Sequence, residues 1–145
     1  MSSRVPAGNE LSMAQVQADL YSAKAAMEGA DSNKNRLGKY LKGLAAYHLQ
    51  QAAEKMVKIQ IYRAGVPVDY AKIYKHNIRD LVLYGTQIGV KLDIPAYVRR
   101  NDTIISSWEA EGRYDVHIVV RSDTLRKAYE EIQNWWIVLK EKGYK

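Results

Sequence analysis

The chain contains no cysteine and no phenylalanine, and only three prolines and three histidines in 145 residues. Without cysteine there are no disulfides and no thiolate metal sites, which fits a reducing compartment. No two histidines have the spacing of a helical zinc site, so neither a metal nor a cofactor is expected. A glycine-rich phosphate loop and a G-x-S-x-G nucleophile turn are both missing. No stretch approaches the roughly eighteen uninterrupted apolar residues of a membrane span. Met1–Glu10 also lacks the apolar centre of a secretory signal. These absences read as a cytoplasmic protein without membrane contact. In place of Phe, eleven Tyr and three Trp carry the aromatic bulk. A tyrosine hydroxyl needs a partner when buried, and an exposed ring stacks on nucleobases.

What the chain does have is positive charge. A net charge of +6 and a pI near 9.4 favour an anionic partner such as RNA or an acidic protein. Lys34, Arg36, Lys39 and Lys42, together with Arg99 and Arg100, are the candidates for phosphate contact. Arg36, Lys39 and Lys42 recur at three-residue spacing and so share a helix face.

Apolar periodicity is helical throughout. Residues 1–9, with Pro6 and Gly8 and no periodicity, read as a disordered start, and residues 10–145 as one domain. A first helix is expected over residues 10–29, with Leu11, Ala14, Ala18, Tyr21 and Ala25 inward and Gly29 as its stop. A second runs over residues 34–63 with Leu37, Leu41, Leu44, His48, Ala52, Met56 and Ile59 inward. Gly38 and Gly43 inside it imply a close helix contact or a bend, since each weakens a helix by roughly 1 kcal/mol relative to Ala. Residues 66–75 read as a loop, and a third helix follows over residues 77–89. Asp93 and Pro95 open a fourth helix that presents Tyr97, Val98, Ile104, Ile105 and Trp108 and stops near Gly112. Ser122 or Asp123 caps the last, with Leu125, Ala128, Tyr129, Ile132, Trp135, Trp136 and Leu139 on a broad apolar face and Gly143 as its stop. His117–Val120 has strand propensity but nothing to pair with, so it reads as a link. The expected fold is therefore all-α, an antiparallel up-and-down bundle of about five helices.

Three segments, in order, resemble one family. Tyr47-His48-Leu49-Gln50-Gln51-Ala52-Ala53-Glu54-Lys55 resembles the QQAAEK helix of HEPN domains, small helical proteins of prokaryotes often found beside a nucleotidyltransferase-fold partner. His76-Asn77-Ile78-Arg79-Asp80-Leu81 is similar to the family's H-x-L-x-x-L helix start. Gly112-Arg113-Tyr114-Asp115 looks like its Arg-Tyr segment before the last helix. Together they cover roughly residues 37–140. The resemblance implies a HEPN-type bundle, a homodimer, and a toxin–antitoxin or defence setting with a nucleotidyltransferase-fold antitoxin.

It also implies metal-independent RNA cleavage by an Arg and a His. On a helix, Arg113 and His117 share a face four residues apart. Histidine can shuttle a proton between a 2′-hydroxyl and the leaving oxygen, and arginine can neutralise charge on the phosphorane-like transition state. The family spaces the pair by four to six residues, whereas only Tyr114, Asp115 and Val116 intervene here. The shorter spacing keeps an alternative open, a non-catalytic nucleotide- or protein-binding module. Tyr114 is a further candidate, because some HEPN toxins are silenced by addition of AMP to a tyrosine near the site. His48 reads as a hydrogen-bonded interior residue, and His76 as a residue that orders the turn before a helix.

Overall fold

The computed structural model describes residues 11–74, 77–109 and 120–145. Among the described residues there are seven helices and no strand: α1 Met13–Ser32, α2 Arg36–Arg63, α3 Tyr70–Ile73, α4 Ile78–Gln87, α5 Ala96–Arg100, α6 Asp102–Ser107 and α7 Ser122–Glu141. The architecture of these residues is all-helical, as the periodicity implies. The expected disordered start lies outside the described residues. So do His76 and all of the His117–Val120 link except Val120, which is buried and non-helical.

Helix α1 begins at a capping box. The Ser12 hydroxyl accepts from the Gln15 amide at 3.3 Å, while the Gln15 side chain accepts from the Ser12 amide at 3.1 Å. Such a cap contributes about 1 kcal/mol. The helix buries Met13, Val16, Leu20, Ala23, Ala26 and Ala30 rather than the expected stripe, and Tyr21 is 77 % exposed. An alanine-rich helix offers two nearly equal apolar stripes, and the inner one here carries an acid, Asp19, which disguises it. Gly29 does not end α1. It lies beneath Leu41 of α2, whose Cδ1 would be 3.0 Å from an added Cβ. The helix continues to Asn33, whose side-chain amide donates to the Gly29 carbonyl at 2.8 Å.

Helix α2 folds straight back against α1. At Gly38 an added Cβ would stand 1.8 Å from the Asn33 carbonyl oxygen, so close approach, and not a bend, is the reason for a glycine here. Leu37, expected inside, is 50 % exposed. Helix α2 ends at Gly65 with φ +77°, a left-handed turn that glycine adopts without strain.

Helices α3 and α4 pack at the far end of α2, where Tyr62 stacks on Tyr70 and Ile61 meets Gly85. The expected loop over residues 66–75 contains the single turn α3, because Asp69 caps it through a 3.0 Å bond from the Ala71 amide. Asn77 caps α4 in the same way, and the Ser106 hydroxyl of α6 accepts from the Ile78 amide at 2.9 Å. The expected fourth helix is broken into α5 and α6 at Asn101. There the side-chain amide takes the Tyr97 carbonyl at 2.8 Å, competing with the helical ladder. Its buried residues are Val98, Ile105 and Trp108, while Ile104 faces out.

Asp93 does not cap that helix. Its backbone is gripped by the buried Gln60 amide in both directions, at 2.7 and 3.0 Å, and by the Trp135 indole at 2.8 Å. Neither Ser122 nor Asp123 caps α7. Arg121 occupies the cap position without a side-chain bond. Leu125, Ala128, Ile132, Trp135 and Leu139 of α7 are buried, and the Trp136 indole donates to the Met13 carbonyl at 2.8 Å. Trp108 and Trp135 thus belong to the core. Among the described residues, no helix is long and apolar enough to cross a membrane.

Candidate nucleic-acid interface

Helix α2 carries Gln50, Gln51, Glu54, Lys55 and Lys58 among its apolar residues, and their placement follows from helical spacing. Gln50 and Lys58 each stand one turn from Glu54 and donate to its two oxygens at 2.9 and 2.8 Å. The Gln51 amide donates to Gln50 at 2.8 Å. The Glu54 and Lys58 side chains are only 5 % and 10 % exposed. Mutual satisfaction makes this burial tolerable, because an unpaired buried charge costs several kcal/mol.

One turn toward the start of α2, a second cluster bridges to α1. His48 Nδ1 lies 2.9 Å from Asp19 Oδ1, and Lys55 Nζ donates to Asp19 Oδ2 at 2.6 Å. Asp19 is buried and both partners are partly open to solvent. His48 is therefore the interior hydrogen-bonded residue that its position implies. The carboxylate it answers to, Asp19, escapes a reading of periodicity alone. An acid at the same helical face as Val16, Leu20 and Ala23 is the signal that points to it.

Near the α3 turn lies a cluster of tyrosines. Tyr62 stacks on Tyr70 with ring centres 6.3 Å apart, and Lys58 stands 6.0 Å from the Tyr74 ring centre. The Tyr62 hydroxyl is buried and has no hydrogen-bond partner among the described residues. Burial, aided by Tyr74, Tyr70 and Tyr84, pushes its pKa up to about 12.

The candidate phosphate contacts divide between two places. At the hairpin end of the bundle, α2 starts without a side-chain cap and without an acid in its first turn, where Arg36 and Lys39 stand exposed. Lys42, one turn on, borders a small cleft together with Arg126 and Ser122 of α7 and Asp31 of α1. Arg121 adjoins it in the chain, paired with Asp123 at 3.4 Å. The uncapped amides and the dipole at the start of α2 add partial positive charge to that of Arg36 and Lys39 there.

Arg99 and Arg100 belong elsewhere. Arg99 borders an apolar cleft of about 190 Å³ between α4 and α5–α6, with Arg79 and Asp102 paired at its edge, 3.3 Å apart. Lys42 is thus brought together with an arginine that spacing does not select, Arg126, and not with Arg99 or Arg100. Arg113, Tyr114 and His117 lie outside the described residues. Among the described residues, no three His, Asp or Glu side chains converge as metal ligands.

Comparison with protein-family models, with curated proteins and with solved structures finds no match.

Proposed function

We propose that this chain is a HEPN-type protein of a toxin–antitoxin or defence system that binds RNA or cleaves it without a metal. The observation that carries the reading is that Lys42 of α2 borders one cleft with Arg126 of α7 at the hairpin end of the bundle, where Arg36 and Lys39 also stand exposed on α2. His117 precedes Val120 by three residues and Arg121 by four. Along the chain, the start of α7 therefore adjoins the Arg113–His117 pair on its C-terminal side. A phosphodiester backbone held there by lysine and arginine needs no base contact for affinity.

In this reading His117 takes the proton of a ribose 2′-hydroxyl, whose oxygen attacks the adjacent phosphorus. The 5′-oxygen leaves and receives a proton, and Arg113 donates to the phosphate oxygens as charge builds on them. A second copy of the chain would complete a two-fold site, and a nucleotidyltransferase-fold protein would act as the antitoxin, with Tyr114 as the residue it modifies. The short spacing of Arg113 and His117 favours one other reading, a non-catalytic module that binds nucleotides or a partner protein.

The deciding experiment incubates total tRNA and mRNA with the purified protein in EDTA, comparing wild type with His117→Ala and Arg113→Ala. Cleavage by wild type alone supports the ribonuclease. Saturable RNA or nucleotide binding without cleavage by a folded dimer moves the reading to the binding module. Equal cleavage by all three removes Arg113 and His117 from the chemistry.

A further inference from the structure

We infer that the groove between α1 and α7 is a stacking subsite for an unpaired nucleobase of single-stranded RNA, an inference that rests on the RNA reading above and names where a base would be held. The groove is an open cleft of about 400 Å³, within the roughly 300–1,000 Å³ typical of ligand sites. Three aromatic rings border it: Tyr21 from α1, and Tyr129 and Trp136 from α7.

Two features set these rings apart from the rest of the aromatic complement. Among the described residues, Tyr21 is the most exposed of the large hydrophobic side chains, at 77 %. A ring left in water on a helix whose core stripe is complete without it contributes nothing to the bundle. Trp136 is the only tryptophan of the three that is not buried. Its indole is fixed by the 2.8 Å bond to the Met13 carbonyl, and Lys140 stands 6.0 Å from its ring centre. A base laid in the cleft thus meets one solvent-exposed ring and one pre-oriented ring, at little ordering cost.

The polar lining suits a base edge. Gln17 and Gln133 bring side-chain amides from opposite walls, each with a donor and an acceptor. Lys24 and Glu28 stand one turn apart on α1, a cation for phosphate and an acceptor for an exocyclic amine. The groove also leads to the basic end. Helices α1 and α7 run antiparallel, so the seam that holds Tyr21 and Trp136 continues past Glu28 and Tyr129 to Asp31, Arg126 and Lys42. A single strand whose backbone lies on the basic end can turn one base into the cleft. A duplex, its bases stacked on each other, cannot.

The test titrates a twelve-nucleotide oligoadenylate and a duplex of equal length into the protein, read by quenching of tryptophan emission and by fluorescence anisotropy of a labelled strand. Wild type is compared with Tyr21→Ala, Tyr21→Phe, and Tyr74→Ala as an exposed tyrosine outside the groove. The expected result is single-strand binding that quenches emission, a loss of about five- to tenfold in affinity for Tyr21→Ala, recovery in Tyr21→Phe, and no loss in Tyr74→Ala. Unchanged single-strand affinity in Tyr21→Ala overturns the subsite and leaves the RNA reading standing. No RNA binding by the wild type removes both. Equal loss against single strand and duplex overturns base stacking as the cause.

Discussion

Asp19 on α1 is the carboxylate that holds His48 on α2, at 2.9 Å from Nδ1, while its second oxygen takes Lys55 at 2.6 Å. One buried acid therefore ties the first two helices of the bundle together across the face that alanines otherwise fill. It also fixes the orientation of the imidazole, since Nδ1 is committed to the carboxylate.

Removing Asp19 leaves Lys55 and His48 facing a void with no counter-charge. Asp19→Ala is expected to destabilise the fold by about 2–4 kcal/mol, whereas His48→Ala, which leaves the Asp19–Lys55 pair intact, costs about 1 kcal/mol. Urea unfolding of the two variants checks the order. Equal losses would show that the imidazole, not the lysine, answers the acid.

Gly38 offers a test in which the usual sign is reversed. In an ordinary helix interior Gly→Ala stabilises by about 1 kcal/mol. Here the new methyl would lie 1.8 Å from the Asn33 carbonyl oxygen, which is backbone and cannot swing away. Gly38→Ala is expected to destabilise by about 2–3 kcal/mol or more, read as a lowered melting temperature. A stabilised variant would mean that the α1–α2 turn can open to admit the methyl.

These two residues show what the sequence could and could not express. Helix identity was legible because periodicity survives even an alanine-rich stretch, and the ends at Gly65 and Gly143 follow from their φ of +77° and +99°. The inner face of α1 was not legible, since Asp19 on that face argues against burial until Lys55 and His48, 36 and 29 residues away, are seen to pair with it. The break at Asn101 and the turn α3 depend on single side-chain to backbone bonds, which local propensity does not weigh. Of the candidate site, the lysines of α2 could be chosen from spacing alone. The neighbour of Lys42 across the cleft, Arg126, depends on a chain crossing that no local pattern encodes.

Tyr62 predicts an alkaline limit to stability. Its pKa is raised from 10 to about 12 in the folded protein, so folding favours the neutral phenol. That contribution is complete below pH 10 and is lost as pH rises through 10 toward 12, the reverse of the carboxylate case. Spectrophotometric titration at the tyrosinate band is expected to show a late component near pH 12 that disappears in Tyr62→Phe, while the component from Tyr97, also raised by burial, remains. Because the hydroxyl is buried without a partner among the described residues, Tyr62→Phe is also expected to keep or gain stability at neutral pH, by up to about 1 kcal/mol. A loss of stability there would reveal a partner for the hydroxyl.

The division of basic residues gives the last prediction, and it separates a phosphate footprint from bulk charge. Each phosphate interaction removed lowers the slope of log K against log salt by about 1. Lys39→Ala and Lys42→Ala are expected to weaken RNA binding about equally for all sequences and to flatten that slope by about 1 each. Arg99→Ala and Arg100→Ala remove the same charge from α5, which does not border the cleft of Lys42 and Arg126, and are expected to leave the slope unchanged. Net charge alone predicts four equal effects, since long-range attraction depends on the total and is screened beyond about 10 Å at 0.1 M salt. Filter binding of one single-stranded RNA over a series of salt concentrations distinguishes the two. Four equal slopes would dissolve the basic end as a site. A change confined to Arg99 and Arg100 would move the interface to the α4–α6 side of the bundle.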